Sequence, residues 1–157
     1  MPLIDSRTER LLGIEMCSRE AARILVEAIE AAASNQMVYS QVSDLSAGGD
    51  LSGLIVFYAP SEVTISELGF LAQGVFAGID NSNTMVVTVT DGDDNVLVTK
   101  TYNTATQPVD ETYNNLGAVD AQYATLAEGG VLKLTITNGS TANPPAMILV
   151  THYAPTI

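Results

Sequence analysis

The sequence is poor in the residues that most often carry chemistry. It contains one cysteine, one histidine and no tryptophan among its 157 residues. A single cysteine, Cys17, excludes an intrachain disulfide, and catalysis by a Cys–His pair would require Cys17 and His152 to meet. Cys17 precedes a predicted helix whose dipole could activate the thiol, but we interpret it as a packing residue and His152 as an ordinary strand-end residue. We therefore expect no catalytic residue, no metal and no cofactor.

Basic residues are also scarce. Six Lys and Arg residues stand against 18 Asp and Glu residues, which gives a net charge of −12. Binding to a nucleic acid backbone requires clustered basic residues, so this class of partner is excluded. The distribution is uneven, because the first 23 residues balance four arginines against four acids, whereas residues 24–157 carry two lysines and 14 acids. The four arginines are Arg7, Arg10, Arg19 and Arg23.

Long apolar runs are missing as well. The longest strongly apolar run, Leu54 to Ala59, is far shorter than the roughly 18 residues that indicate a membrane-spanning helix. We interpret it as a core strand and expect no membrane role. The opening Met1 to Ser6 lacks the basic and apolar regions of a secretory signal, so we expect no export by that route.

Two helical signals open the sequence. Ser6 and Glu9 have the spacing of a capping box, and Gly13 marks a stop shortly afterwards. From about Ser18 to Ala33, apolar residues recur at three and four positions, which predicts an amphipathic helix. Residues 1–35 are therefore predicted to form an N-terminal helical arm. For an isolated helix, the loss of conformational entropy on ordering exceeds the free energy gained by burying its apolar side chains. The helix must therefore dock either on its own domain or on a neighbouring chain.

Residues 36–157 have the texture of an all-β domain, with short β-rich runs separated by Gly, Asn, Asp and Pro. We predict an antiparallel β-sandwich, jelly-roll or immunoglobulin-like. A hairpin should join Thr84–Thr90 to Val96–Tyr102 through Asp91–Asn95. The predicted strands are 37–43, 52–59, 63–71, 84–90, 95–102, 131–137 and 146–153.

Two stretches lack a strand pattern. The stretch Thr104 to Glu128 has no firm period and is predicted to be a long crossover between sheets, with a helical turn within Ala118–Leu126. Asn138 to Pro145 is predicted to be a loop, and its Asn138-Gly139-Ser140 is interpreted as a turn rather than a glycosylation site.

Three weaker signals leave alternatives open. Asp91, Asp93, Asp94 and Asn95 gather oxygen ligands suited to calcium, but the spacing differs from an EF-hand, and a solvated hairpin tip explains them too. The neighbouring acids Asp110 and Glu111 could support acid–base chemistry only if folding gave them a defined separation. A sugar-binding groove could be lined by Tyr102, Tyr113 and Tyr123.

Three segments carry a resemblance to a known family. Val63–Phe70 (VTISELGF), Leu126–Gly139 (LAEGGVLKLTITNG) and Ala146–Tyr153 (AMILVTHY) together resemble the small β-sandwich decoration (cement) and head-fibre proteins of tailed bacteriophages. The likeness covers about residues 60–155. Glu128-Gly129-Gly130 stands where a Gly-Asp is expected before the strand, which departs from the family pattern.

The resemblance implies a non-enzymatic, usually trimeric protein that clamps capsid subunits from outside. It would bind the major capsid protein and itself, assemble in the host cytoplasm and reside on the virion surface. A carbohydrate- or receptor-binding module is the alternative function. From the apolar pattern, we expect residues 1–35 and the apolar segment Leu54 to Ala59 to supply the contacts between subunits. The candidate partner-binding residues are Arg7, Arg10, Leu11, Leu12, Leu25, Ile29, Leu54 and Val56.

Overall fold

The computed structural model describes residues 21, 23, 24 and 36–156. By its internal contacts the chain divides into two compact units, Met1–Asn35 and Gln36–Ile157. In the first unit, Ala21, Arg23 and Ile24 are helical and exposed, and they lie within the helix predicted for residues 18–33. The predicted capping box at Ser6, the stop at Gly13 and the remainder of that helix lie outside the described residues, as does Cys17.

The second unit is all-β and contains two antiparallel sheets. Its strands are β1 (Gln36–Val42), β2 (Leu51–Tyr58), β3 (Val63–Ala72), β4 (Met85–Asp91), β5 (Val96–Tyr102), β6 (Tyr113–Asn115), β7 (Thr125–Leu126), β8 (Val131–Asn138) and β9 (Met147–Pro155). The five-stranded sheet has the order β1-β9-β3-β6, with β7 also paired to β3, and the four-stranded sheet has the order β2-β8-β4-β5.

The chain passes back and forth between the two sheets. Six of the eight connections change sheet, namely β1–β2, β2–β3, β3–β4, β5–β6, β7–β8 and β8–β9. Sequence neighbours are therefore seldom partners, and the clear exception is the β4–β5 hairpin. In the five-stranded sheet, β9 lies between β1 and β3, and both of these strands come much earlier in the sequence.

The two sheets pack face to face around one hydrophobic core, in a sandwich-like arrangement. The alternation predicted for β8 is confirmed, since Leu132, Leu134 and Ile136 are buried between more exposed neighbours. Aromatic contacts join the sheets: the rings of Phe57 and Tyr153 lie 5.1 Å apart between centroids, and those of Phe70 and Tyr102 lie 5.7 Å apart. Burying each such large apolar side chain contributes roughly 1.5 to 3 kcal/mol.

All seven predicted strands are present, with ends that differ by at most two residues. The predicted hairpin is also present, with a bulge between Val89 and Thr90. The crossover prediction needs correction, because residues 104–128 contain the two short strands β6 and β7. The helical turn predicted within 118–126 is not present: Asp120–Tyr123 instead form a hydrogen-bonded turn, in which Tyr123 N–H donates to Asp120 O, and the chain is extended at Thr125–Leu126.

The edges of the two sheets meet along β1 and β2. Ser40 Oγ on β1 donates a hydrogen bond to the carbonyl oxygen of Val56 on β2, although the two strands belong to different sheets. Strand β2 has register shifts between Leu51 and Leu54 and between Ile55 and Phe57. These irregularities place Val56 and Phe57 together in the core and leave Ile55 and Tyr58 exposed.

Candidate binding groove

The outer faces of the two sheets differ in chemistry. On the four-stranded sheet, threonines stand opposite one another: Thr88 pairs with Thr99 on one side and with Thr135 on the other. The Thr88 and Thr99 hydroxyls are 3.3 Å apart, within hydrogen-bond distance. The outer face of the five-stranded sheet is instead largely apolar and aromatic. That face is the best candidate for a binding surface.

Strand register brings together residues that are far apart in sequence. His152 on β9 stands between Met37 on β1 and Glu67 on β3, and one row further along, Val150 stands between Tyr39 and Gly69. Met37 and Tyr39 lie on the same face of the edge strand β1 and are 50% and 62% exposed. Neither residue was predicted as a site residue, because nothing in the local sequence of β1 reveals its distant neighbours.

These rows border an open groove of about 330 Å³. Apolar groups make up most of its lining, with one carboxylate and one imidazole. Its lining residues are Met37, Tyr39, Glu67, Leu71, Tyr113, Val150 and His152. A groove of this size and character can hold a large side chain or a small ligand.

Tyr113 forms one side of the groove and is held by a specific polar contact. Its hydroxyl donates a hydrogen bond of 2.7 Å to Glu67 Oε1, which also accepts one of 2.8 Å from Asn115 Nδ2. Burial, together with the hydrogen bond and the negative charge of Glu67, raises the pKa of Tyr113 well above its usual range. Tyr113 therefore stays protonated and keeps the carboxylate of Glu67 in a fixed position.

Gly69 is what allows the Tyr113 ring to lie across β3. A Cβ atom at position 69 would come within 2.3 Å of Tyr113 Cζ, so any larger residue would displace the ring. The Tyr113 ring in turn contacts the imidazole of His152 edge to face, with centroids 6.3 Å apart. The prediction that His152 is an ordinary strand-end residue missed its position in this groove. The groove combines aromatic surface with a carboxylate, a set of groups suited to binding.

Two of the predicted partner-binding residues fall within the described range. Val56 is 4% exposed and packs in the core, whereas Leu54 is 36% exposed. The exposed residues of this strand are its neighbours Ile55, at 62%, and Tyr58, at 64%. The other predicted contacts, Arg7, Arg10, Leu11, Leu12, Leu25 and Ile29, lie outside the described residues.

The three tyrosines predicted to line a sugar groove are in different places. Tyr113 lines the groove, Tyr102 is buried against Phe70, and Tyr123 is partly buried against the core. Burial raises the pKa of Tyr102 to about 12. The Tyr102 hydroxyl is buried without a hydrogen-bond partner among the described residues. Only one of the three residues is thus available to a ligand in the groove.

The acidic hairpin tip uses its oxygen atoms internally. Asp91 Oδ1 accepts hydrogen bonds of 2.9 Å from the backbone N–H of Asp93 and of Asn95, and Asp91 Oδ2 accepts one of 2.8 Å from Asn95 Nδ2. Partial burial alone would raise the pKa of Asp91, but these hydrogen bonds and nearby Lys133 outweigh it and lower the pKa. Lys133 Nζ also pairs with Asp94 at 2.9 Å. The solvated-tip interpretation accounts for these contacts.

The acidic pair Asp110 and Glu111 has a structural contact of its own. Asp110 Oδ1 accepts a 2.9 Å hydrogen bond from the backbone N–H of Phe76.

Within the described part of the chain, no group of three or more His, Cys, Asp or Glu side chains is arranged to hold a metal ion. The same residues include no helix long and apolar enough to cross a membrane.

Comparisons with known proteins add no family to this description. No protein-family model matches the chain, and no curated protein matches it significantly.

Proposed function

We propose that this protein is a non-enzymatic structural component of a virus particle. In this proposal it decorates the outer capsid surface, associates with itself as a homotrimer and binds the major capsid protein. The observation that carries the proposal is the concentration of exposed apolar side chains on both sides of the edge formed by β1 and β2.

This edge has two apolar flanks. Met37 and Tyr39 lie on one flank, on the five-stranded sheet, and Ile55 and Tyr58 lie on the other. The hydrogen bond between Ser40 and Val56 holds the two strands together, with one apolar flank on the outer face of each sheet. Exposed apolar side chains grouped along an edge are characteristic of surfaces that pack against another protein.

The charge distribution favours a specific partner over non-specific association. Residues 36–157 contain two lysines and 12 acids, and the net charge of this unit is therefore 2 − 12 = −10. Like-charged units repel one another except where apolar contacts outweigh the repulsion. The apolar edge is thus the part of the surface through which copies can associate.

The finer fold assignment is part of the same proposal. We infer a jelly-roll or immunoglobulin-like sandwich, supported by the six connections that change sheet. Residues 1–35 are proposed to be a helical arm that reaches a neighbouring subunit, and their removal is expected to abolish trimer formation or capsid binding.

Light scattering of the purified chain tests self-association. The wild type is expected to be a trimer, and Ile55→Asp is expected to yield monomers, because a charge at a buried interface is costly. Thr99→Asp is the matched control, since Thr99 is exposed on the outer face of the same sheet. A monomeric wild type, or equal behaviour of the two variants, would contradict the proposed interface.

Quantitative mass spectrometry of purified virus particles from the source tests the location. The chain is expected at a copy number commensurate with the capsomers, and immunogold labelling should place it on the outer surface. Absence of the chain from the particles would contradict the virion assignment even if the chain is a trimer.

A carbohydrate- or receptor-binding module is the second candidate. What favours it is the groove itself, in which the rings of Tyr39 and Tyr113 stand beside the hydrogen-bonding groups of Glu67 and His152. Aromatic rings next to polar groups are typical of sugar sites. A glycan array separates the two candidates, because a structural protein is expected to bind none of the glycans.

A further inference from the structure

The carboxylate of Glu67 is only partly used within its own domain. Glu67 Oε1 accepts hydrogen bonds from Tyr113 and Asn115, whereas no hydrogen bond from residues 36–156 reaches Oε2. Glu67 is half-buried on the floor of the groove. A carboxylate in this position is stabilised by a positive charge that enters the groove.

No lysine of residues 36–156 is in a position to supply that charge, and within the same range the neighbouring imidazole of His152 forms no ion pair with Glu67. Residues 36–156 contain two lysines, Lys100 and Lys133, and both lie on the four-stranded sheet. Lys133 Nζ is held by Asp94 and by the carbonyl oxygen of Gly92, at 2.9 and 2.8 Å. Within this range, no cation lies within ion-pair distance of Glu67. A lysine or arginine that pairs with Glu67 would therefore come from outside residues 36–156.

The walls of the groove define the rest of the ligand. Met37, Leu71 and Val150 offer apolar surface, and the rings of Tyr39 and Tyr113 offer aromatic surface. An arginine side chain matches both, because its alkyl stem packs on apolar groups while its planar guanidinium stacks on aromatic rings and donates to a carboxylate. A lysine side chain would supply the positive charge, but it has no planar group to stack on the aromatic rings.

We propose that the groove receives an arginine side chain carried by an apolar segment of a partner protein. The net charge of −10 on this unit draws such a basic segment towards it. The inference rests on the proposed function only in taking the partner to be a protein. The contact between the arginine side chain and Glu67 would lie on the β1 side of the apolar edge.

An NMR titration of the full chain with the peptide acetyl-Arg-Leu-Leu-amide tests the proposal; the same three residues occur at 10–12. We expect shifts of resonances from the groove, chiefly those of Tyr39, Leu71 and Tyr113. The matched peptide replaces arginine with citrulline, which has nearly the same shape but no charge. It is expected to bind about tenfold more weakly, the effect of losing one charge-assisted hydrogen bond.

Two variants test whether the negative charge of Glu67 is the one that binds the arginine peptide. Glu67→Gln retains an oxygen that can accept from Tyr113 and Asn115, so the groove is expected to keep its shape while the arginine peptide binds about tenfold more weakly. Glu62→Gln makes the same charge change at an exposed position outside the groove and should bind as the wild type does. Equal binding of the arginine and citrulline peptides, binding of neither, or groove shifts caused by glycans instead would overturn the proposal.

The same variants separate this inference from the proposed function. Loss of self-association in Glu67→Gln would identify the partner as a second copy, and loss of particle binding alone would identify a capsid protein; both results support the groove. If Glu67→Gln associates and binds particles as the wild type does, the inference is wrong and the proposed function stands.

Discussion

The Tyr113 ring lies directly over Gly69, so closely that a Cβ atom at position 69 would approach Tyr113 Cζ to 2.3 Å. The ring reaches over the glycine from β6 to bring its hydroxyl to Glu67. Because Gly69 has no side chain, the Tyr113 ring can lie across β3 and hold the Glu67 carboxylate on the outer face of the sheet.

Gly69→Ala is expected to swing the Tyr113 ring away from Glu67 and to return the pKa of Tyr113 towards its ordinary value. Stability should change by no more than about 1 kcal/mol, because the lost hydrogen bond is partly offset by replacing glycine in a strand. Absorbance titration of tyrosine measures the pKa. Gly92→Ala is the control, since its added Cβ meets only Val131 at an ordinary 3.5 Å. An unchanged titration in Gly69→Ala would contradict this account of the groove.

Tyr102→Phe and Tyr153→Phe should have opposite effects on stability. Both tyrosines are buried, but the Tyr102 hydroxyl has no partner among the described residues, whereas the Tyr153 hydroxyl donates to Gln36 Oε1 at 2.6 Å. Removing an unpaired buried hydroxyl is neutral or stabilising by about 1 kcal/mol, and removing a paired one destabilises by about the same amount. Urea unfolding measures both. Equal losses in the two variants would show that Tyr102 has a partner.

Tyr102 should also make the fold sensitive to alkali. Burial raises its pKa to about 12, above the value of 10.0 for an exposed tyrosine, so the folded protein holds the proton more tightly. This contribution to stability is complete below pH 10 and is lost as the pH rises towards 12. Tyr102→Phe is expected to lose less stability than the wild type over that interval. Parallel losses in both proteins would assign the alkaline sensitivity to other groups.

Asp91→Ala is expected to open the β4–β5 turn and to destabilise the domain by about 1 kcal/mol at neutral pH. The pKa of Asp91 is lowered in the folded state, so its contribution is complete above the unfolded value of 3.8 and is lost as the pH falls through the folded value. The difference between variant and wild type in urea unfolding should therefore shrink in strong acid. Asp93→Ala serves as the control, because no described group donates to the Asp93 carboxylate. A difference that persists in acid would contradict this origin.

Gly78→Ala and Gly53→Ala separate backbone strain from crowding. Both glycines have left-handed backbone angles, φ +67° and +62°, but a Cβ at position 78 would lie 1.9 Å from the carbonyl oxygen of Thr141, while position 53 is open. Gly53→Ala should cost about 1 kcal/mol from strain, and Gly78→Ala at least about 2 kcal/mol more because two loops must separate. Thermal unfolding measures both losses. Similar losses would mean that the loops adapt freely.

The regular strands could be predicted because alternation and turn residues are local signals. Strand β8 alternates cleanly, and the Asp91–Asn95 turn marks the β4–β5 hairpin. Strands β6 and β7 have three and two residues, too few to show a period, and β6 depends on Asn114, whose side chain bonds to the backbone of Val109 and Thr112.

The groove could not be predicted, because it depends on register between strands that are distant in sequence. Met37 and Glu67 both stand next to His152, yet the pattern around each residue says only which face it occupies. The continuous apolar run Leu54 to Ala59 predicted a core strand but could not show which of its side chains face inward, because the irregularities in β2 break the regular alternation of faces.

The position of β9 between β1 and β3 has a consequence for biosynthesis. Because its two neighbours precede it by many residues, neither can complete its pairing until the strand at 147–155 has left the ribosome. Until then, the edges of β1 and β3 that will pair with β9 have no partner strand. Net negative charge, which keeps such chains apart, guards against aggregation during that interval.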